Sequence, residues 1–276
     1  MTQPPLAQAV PADLALALAR RSDRLGRLGS SLLFFSTVGS TNDVAAALAE
    51  EGGHEGAVVI ANAQTAGRGR HGRTWFSPPA NGLYVSVVLT PGRARPAERA
   101  VSLLTLAAGV SLAEAIDAAT GLRVDIKWPN DLLVGRRKLG GVLAEAVATH
   151  GGSPSVESVV LGYGLNVGVA VYPPHLRQRA TSVEAELGRE VDRAALCAET
   201  LATLARRYDD LLDGRFDAIL DGWRARAPGH VGARVWWTTP RGTESGITSG
   251  LDSMGALLVR VGDRIERIVG GEVVWE

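Results

Sequence analysis

Gln64-Thr65-Ala66-Gly67-Arg68-Gly69-Arg70-His71-Gly72-Arg73-Thr74-Trp75 follows directly on an apolar run and interleaves three glycines with three arginines. Gly67, Gly69 and Gly72 let the backbone approach a ligand closely, and Arg68, Arg70 and Arg73 offer planar guanidinium forks suited to phosphate or carboxylate. The spacing is not the Gly-x-Gly-x-x-Gly dinucleotide fingerprint, because the glycines do not lead into an apolar helix. It also lacks the Gly-Lys-Ser/Thr ending of a P-loop. Taken alone, such a stretch is more often a solvated surface turn or a nonspecific nucleic-acid contact.

Composition narrows these choices. The 276 residues suffice for one large or two unequal domains with a sizeable core. A formal net charge of zero supplies no global field toward nucleic acid or an acidic membrane. The single cysteine, Cys197, excludes an internal disulfide framework, and its helical spacing with Leu201 and Leu204 predicts a buried thiol, not a nucleophile. No apolar run approaches the roughly 18 residues of a transmembrane helix, and the polar, proline-bearing start is no signal peptide, so the cytoplasm is the expected compartment. Of the 29 basic residues 27 are arginine, and the two lysines, Lys127 and Lys138, lie eleven positions apart. An ammonium is a compact point charge and does not substitute for a guanidinium fork, so this pairing marks a second region of interest.

The pattern around these stretches predicts the elements that carry them. A short helix over residues 12–21 belongs to an N-terminal extension, residues 1–30. A strand over 31–37 leads to Ser40-Thr41-Asn42-Asp43, which matches a capping box opening a helix over 44–50. Free backbone N–H groups there can hold a polar ligand group, and a plain N-cap is the alternative. Strands are expected over 57–63 and 83–89, and a scaffold helix over 98–118. Residues 124–134 and 138–147 read as a hairpin turning at Gly135-Arg136, a pair suited to a type II′ turn. In that register Leu133 faces Lys138, Asp131 faces Gly140 and Lys127 faces Ala144. Lys127, Asp131 and Lys138 then share one face beside Asn130, with Gly140 and Gly141 as an open floor. Pro129 is the residue that can shift this register, and a surface ion-pair cluster is the alternative reading. A strand over 156–161 runs into a glycine-rich end bearing Asn166. Residues 173–187 look irregular and flap-like, Asp192 caps a helix to 212, and a further helix covers 216–226. From 232 onward short β runs separated by glycine turns predict a small barrel. The expected division is 1–30, 31–228 and 229–276.

Five motifs in order carry a resemblance: Ser40-Thr41-Asn42, the loop at 64–75, Lys127-Trp128-Pro129-Asn130-Asp131, Lys138-Leu139-Gly140-Gly141-Val142-Leu143-Ala144-Glu145 and Gly162-x-Gly-x-Asn166. Together they resemble the biotin protein ligases. The resemblance implies an α+β fold, a mixed β-sheet flanked by helices as in class II synthetases, with a small C-terminal Src-homology-3-like β-barrel. It implies that biotin and MgATP give biotinyl-5′-adenylate and pyrophosphate, after which a lysine of the biotin carboxyl carrier domain of a carboxylase takes the biotinyl group. ATP with Mg2+ and biotin would be substrates, with no permanently bound cofactor and no protein metal site. By the same match, Ser40, Thr41, Asn42, Gln64, Gly67, Arg68, Gly69, Arg70, Lys138, Gly140 and Gly141 would surround biotin. Arg68, Arg70, Arg73, Trp75, Lys127, Asn130 and Asn166 would meet ATP or the adenylate. Lys138, Arg70 and Asp131 would be catalytic, Asp131 as base or orienter for an acceptor lysine whose ordinary pKa is near 10.4. A lipoate or octanoate ligase of the related fold is the nearest rival. Some family members carry an N-terminal winged helix-turn-helix. The 30 residues before the first strand here form no basic recognition helix, so the expectation is a monofunctional ligase, monomer or weak homodimer, with neither DNA nor membrane as partner. The glycine/arginine loop is expected to be disordered without ligand and to fold over the adenylate.

Overall fold

The computed structural model describes residues 6–52, 54–147, 158–240 and 242–276. Seven strands form the main sheet: β1 (Ser31–Phe35), β2 (Ala57–Ala61), β3 (Gly82–Leu89), β4 (Asp125–Lys127), β5 (Asp131–Val134), β6 (Arg137–Val147) and β7 (Ser158–Asn166). Their spatial order is β1-β2-β3-β7-β6-β5-β4. β1 and β2 are parallel and every other neighbouring pair is antiparallel, so the sheet is mixed.

Both faces of this sheet are covered. On one side α4 (Ala97–Thr120), α6 (Arg193–Leu212) and α7 (Phe216–Arg224) pack Leu103, Leu106, Leu201, Leu204 and Trp223 against Val85, Val87, Leu161 and Val142. On the other, α3 (Thr41–Glu51) lays Ala45 and Ala49 over Val59, Val88 and Val160. β3 is consequently buried at every position. α4 corrects the expectation that no stretch approaches a transmembrane helix, since by length and composition it is apolar enough to cross a membrane. Of its most apolar stretch 72% is buried, as suits a helix layered between a sheet and two further helices. Near the N-terminus, α1 (Ala12–Ala19) and α2 (Ser22–Leu25) are tied to α6, where Arg21 and Arg24 reach Glu199 at 2.7 and 2.6 Å.

Three local features depart from the sequence reading. α3 begins at Thr41 and not at residue 44, and Ser40 caps it by position without a side-chain hydrogen bond, so no capping box forms. The backbone N–H of Thr41 donates to Gln64 Oε1 at 2.8 Å instead. Residues 124–134 are two strands, because Pro129 cannot donate to a ladder and the chain turns at Trp128-Pro129-Asn130. Lys127 therefore faces Asp131 and not Ala144, and a bulge after Leu132 sets Asp131 opposite Gly141 and not Gly140. The turn at Gly135-Arg136 holds as expected, with Leu133 facing Lys138 and Gly135 at φ +58°. Finally, the end of the segment expected to be irregular, residues 179–181, runs beside β6, where Lys138 N–H donates to Arg179 at 2.7 Å and Thr181 N–H donates to Lys138 at 2.9 Å. The short α5 (Val183–Leu187), capped by Ser182, follows. That segment is pinned to the sheet, unlike a free flap.

The last strands are β8 (Val231–Thr239), β9 (Gly242–Leu251), β10 (Leu257–Val261), β11 (Arg264–Ile268) and β12 (Val273–Trp275). They form an antiparallel sheet in the order β11-β10-β9-β8-β12, without a ladder between β11 and β12 among the described residues. This sheet sits on the first. Trp128 Nε1 donates to the carbonyl of Gly255 at 2.9 Å, and a Cβ on Gly255, whose φ is +80°, would run into Leu103 and Leu106.

Candidate active site

A cleft of about 720 Å³ opens where the glycine/arginine loop, the N-terminus of α3, the β5–β6 hairpin, β7 and the turn before β12 converge. Its floor is β7. Side chains alternate along a strand, so Gly162 and Gly164 present bare backbone on one face. A Cβ at Gly162 would occupy the place of the Asn42 amide, and one at Gly164 the place of the Trp75 indole. The two glycines thus make room for one polar and one aromatic wall.

The polar wall is built from buried groups that fix one another. Ser40, Thr41 and Asn42 are 3%, 3% and 5% exposed. Thr41 Oγ1 donates to Gln64 Oε1 at 3.1 Å, and Gln64 Nε2 donates to Ser77 at 3.0 Å. The fully buried Ser86 hydroxyl lies 2.7 Å from Thr41 Oγ1 and 2.6 Å from Asn42 Oδ1. Such a satisfied network is rigid and holds its remaining donors and acceptors ready for a ligand. Ser86 was not anticipated, because a serine inside an apolar run gives no sign in sequence of which face it occupies.

Cations line much of the rest of the cleft. The loop is a small hairpin closed by Gly69 N–H to Arg73 O at 2.7 Å and Trp75 N–H to Gly67 O at 2.9 Å. Arg68 meets Asp43 at 2.5 Å and Glu145 at 3.3 Å, and Arg73 meets Glu272 at 2.5 Å. Lys138 Nζ lies 2.6 Å from Asp131 and 5.4 Å from the centre of the Trp75 ring. Among the described residues, Arg70 and Lys127 have no carboxylate within ion-pair distance. Arg70 reaches only Asn130 Oδ1, at 3.4 Å. Burial lowers the pKa of both, with Asp131 partly offsetting the effect and Lys138 adding to it at Lys127. A half-buried cation without an ion-pair partner is stabilised by any anion that enters, so this pair marks the anion end of the cleft.

The remaining expected residues divide. Gly69, Arg73, Trp75, Asn130, Gly141 and Asn166 line the cleft. Asn130 Nδ2 is committed to Val142 O at 2.7 Å and Asn166 Nδ2 to Thr181 O at 2.9 Å, so these amides also anchor the walls. Gly67 and Gly140 do not line it. Gly67 packs against Ser77, Trp75 and Gln64, and Gly140 against Gly164 and Leu132, where close packing explains each glycine. Tyr172, Arg179 and Glu272 do line it and were missed, because each arrives from a segment with no pattern pointing to this place. Cys197 is remote and buried, its thiol pushed up to about 12 by desolvation, which removes it as a nucleophile.

Hydrogen-bonding groups for a neutral head and cations for a polyanion, meeting at Lys138, suit an enzyme that joins an acid to a nucleotide. Residues 34–166 match the Biotin/lipoate A/B protein ligase family, the class that this sheet and cleft define. A biotin–[acetyl-CoA-carboxylase] ligase of Mycobacterium tuberculosis is 35% identical over 246 residues, spanning 86% of this chain and 85% of that protein. A bifunctional ligase/repressor BirA of Bacillus spizizenii is 35% identical over 248 residues, spanning 89% and 74%. A biotin protein ligase from Aquifex aeolicus in complex with biotin and ATP superposes with a TM-score of 0.76 at 26% identity, covering 90% of this chain and 99% of that one. The chain belongs to the biotin protein ligase family.

Proposed function

We propose that the protein activates biotin with MgATP to biotinyl-5′-adenylate, releasing pyrophosphate, and then transfers the biotinyl group to a lysine of a biotin carboxyl carrier domain. One observation carries this reading: a buried polar wall at Ser40, Thr41 and Asn42 shares one cleft with the Lys138–Asp131 pair and with Arg70 and Lys127, two cations that have no ion-pair partner among the described residues. In the first half-reaction a carboxylate oxygen attacks the α-phosphorus and pyrophosphate leaves. Both reactants are negative, and positioned cations remove the repulsion between them. Lys138, held by Asp131 beside the Trp75 ring, suits the reacting oxygens. Arg70 and Lys127 suit the phosphates, and Trp75 offers a flat apolar face for the base.

In the second half-reaction the acceptor amine attacks the acyl carbon of the mixed anhydride and AMP leaves. The attacking amine must lose a proton. Asp131 is the carboxylate nearest Lys138 and fits that role as base or orienter. The Cys197 thiol, free and buried, is compatible with a reducing cytoplasm as the compartment. The test is biotin-dependent ATP–pyrophosphate exchange followed by biotin transfer to a carrier domain. Exchange supported by lipoate or octanoate and not by biotin would overturn the assignment.

A further inference from the structure

The reaction above uses neither Asp43 nor Glu145, yet both grip the glycine/arginine loop. Glu145 lies on β6 two and four positions beyond Leu143 and Gly141, both of which line the cleft, so the three share a strand face. Its Oε2 accepts from Asn42 Nδ2 at 2.5 Å and from Arg68 Nη2 at 3.3 Å. Asp43 Oδ1 accepts from Arg68 Nη1 at 2.5 Å.

Two consequences follow from donor chemistry. The two ends of an amide have nearly the same shape, so its partners decide which end points where. Ser86 can donate or accept, but an ionised carboxylate only accepts. Glu145 therefore fixes Nδ2 of Asn42 on its own side and leaves Oδ1 toward Ser86. The second consequence concerns Arg68, whose charge is already balanced by two carboxylates. Its guanidinium is better suited to tying the loop hairpin to the start of α3 than to neutralising a ligand.

We propose that Glu145 is a positioning residue that orients the Asn42 amide toward biotin and, together with Asp43, latches the loop through Arg68 so that the adenylate is retained. The proposal rests on the function proposed above.

Three variants separate its parts: Glu145→Gln, Glu145→Ala and the double variant Asp43→Ala/Glu145→Gln. The measurements are biotin affinity by calorimetry, loss of biotinyl-adenylate from preloaded enzyme at low and high salt, and trypsin cleavage between residues 68 and 73. Glu145→Gln keeps an acceptor for Asn42 but loses the charge facing Arg68. Biotin affinity should stay within about twofold while adenylate loss quickens about threefold. Glu145→Ala orphans a buried amide and should weaken biotin about tenfold or more. The double variant should lose adenylate about tenfold faster, without the acceleration by salt that exposed ion pairs give the parent protein. Unchanged biotin affinity in Glu145→Ala, or adenylate loss in the double variant that matches the parent at both salt concentrations, would overturn the proposal. A parent protein that forms no adenylate would instead refute the function reading. Trypsin then decides the latch alone, since faster cleavage of the double variant supports it and equal cleavage rejects it.

Discussion

Arg68, Arg73 and Lys138 each meet a carboxylate in the cleft, whereas Arg70 and Lys127 meet none among the described residues. The sequence could nominate all five cations, because an arginine-rich loop and two isolated lysines are visible in one dimension. It could not rank them, because their partners Glu145 and Glu272 come from distant strands and turns. For Lys127 the ranking has a pH signature. Burial holds its pKa below that of a free lysine, and a bound anion favours the charged form and raises it again. ATP affinity should therefore be flat below the depressed pKa, weaken as pH rises through it, and be accompanied by proton uptake near it. Calorimetry across pH checks this, and Lys127→Met should abolish the slope; a variant with the parental slope would reject the assignment. Asp131 is tested by separating the half-reactions. Asp131→Asn should slow transfer from preformed adenylate to the carrier domain by about 100-fold or more, with a smaller effect on pyrophosphate exchange. Equal losses in both would remove its role in proton transfer.

At the scale of elements, β7 sets where the polar and the aromatic walls of the cleft stand. Gly162 admits Asn42 and Gly164 admits Trp75, two positions apart on one strand face. Adding a methyl group to a packed site typically costs about 1–3 kcal/mol. Gly162→Ala should raise the KM for biotin about tenfold with little change in that for ATP, and Gly164→Ala should do the reverse. Steady-state kinetics with each substrate varied in turn would show the crossover, and parallel changes in both variants would count against two separate walls. The β4–β5 turn shows the limits of pattern reading at this scale. Pro129 announced an interruption, and the hairpin at Gly135-Arg136 was legible from its turn residues. Period-two counting still ran Lys127 through to Ala144, because it cannot register a reversal at Trp128-Pro129-Asn130. Lys127, Asp131 and Lys138 come together all the same, through a tighter route than a single hairpin.

Across the whole molecule, the second sheet completes the cleft and steadies the glycine/arginine loop. Glu272, in the turn before β12, pairs with Arg73 of the loop, and Trp128 donates from the β4–β5 turn to Gly255. Trp128→Phe keeps most of the apolar bulk but leaves the Gly255 carbonyl without its buried donor, a loss of about 1–3 kcal/mol. The thermal midpoint should fall by a few degrees, and a KM for ATP that rises with it would show that the sheet contact also holds the cleft. An unchanged midpoint would show that the contact is not structural. The sequence by itself determined the elements with strong periodicity or turn chemistry, α4, α6, the β5–β6 turn and the glycine-spaced final strands, because those patterns are set by near neighbours. It also determined the chemical inventory of the site, since the residue types quoted in the five motifs are local facts. Only the tertiary structure decided that Ser86 and Glu145 complete the polar wall, that Gly67 and Gly140 shape the site without lining it, and that Arg70 and Lys127 make no ion pair among the described residues. Those properties depend on which buried groups meet across the sheet, and hydrogen bonds and charges are satisfied through space, not along the chain.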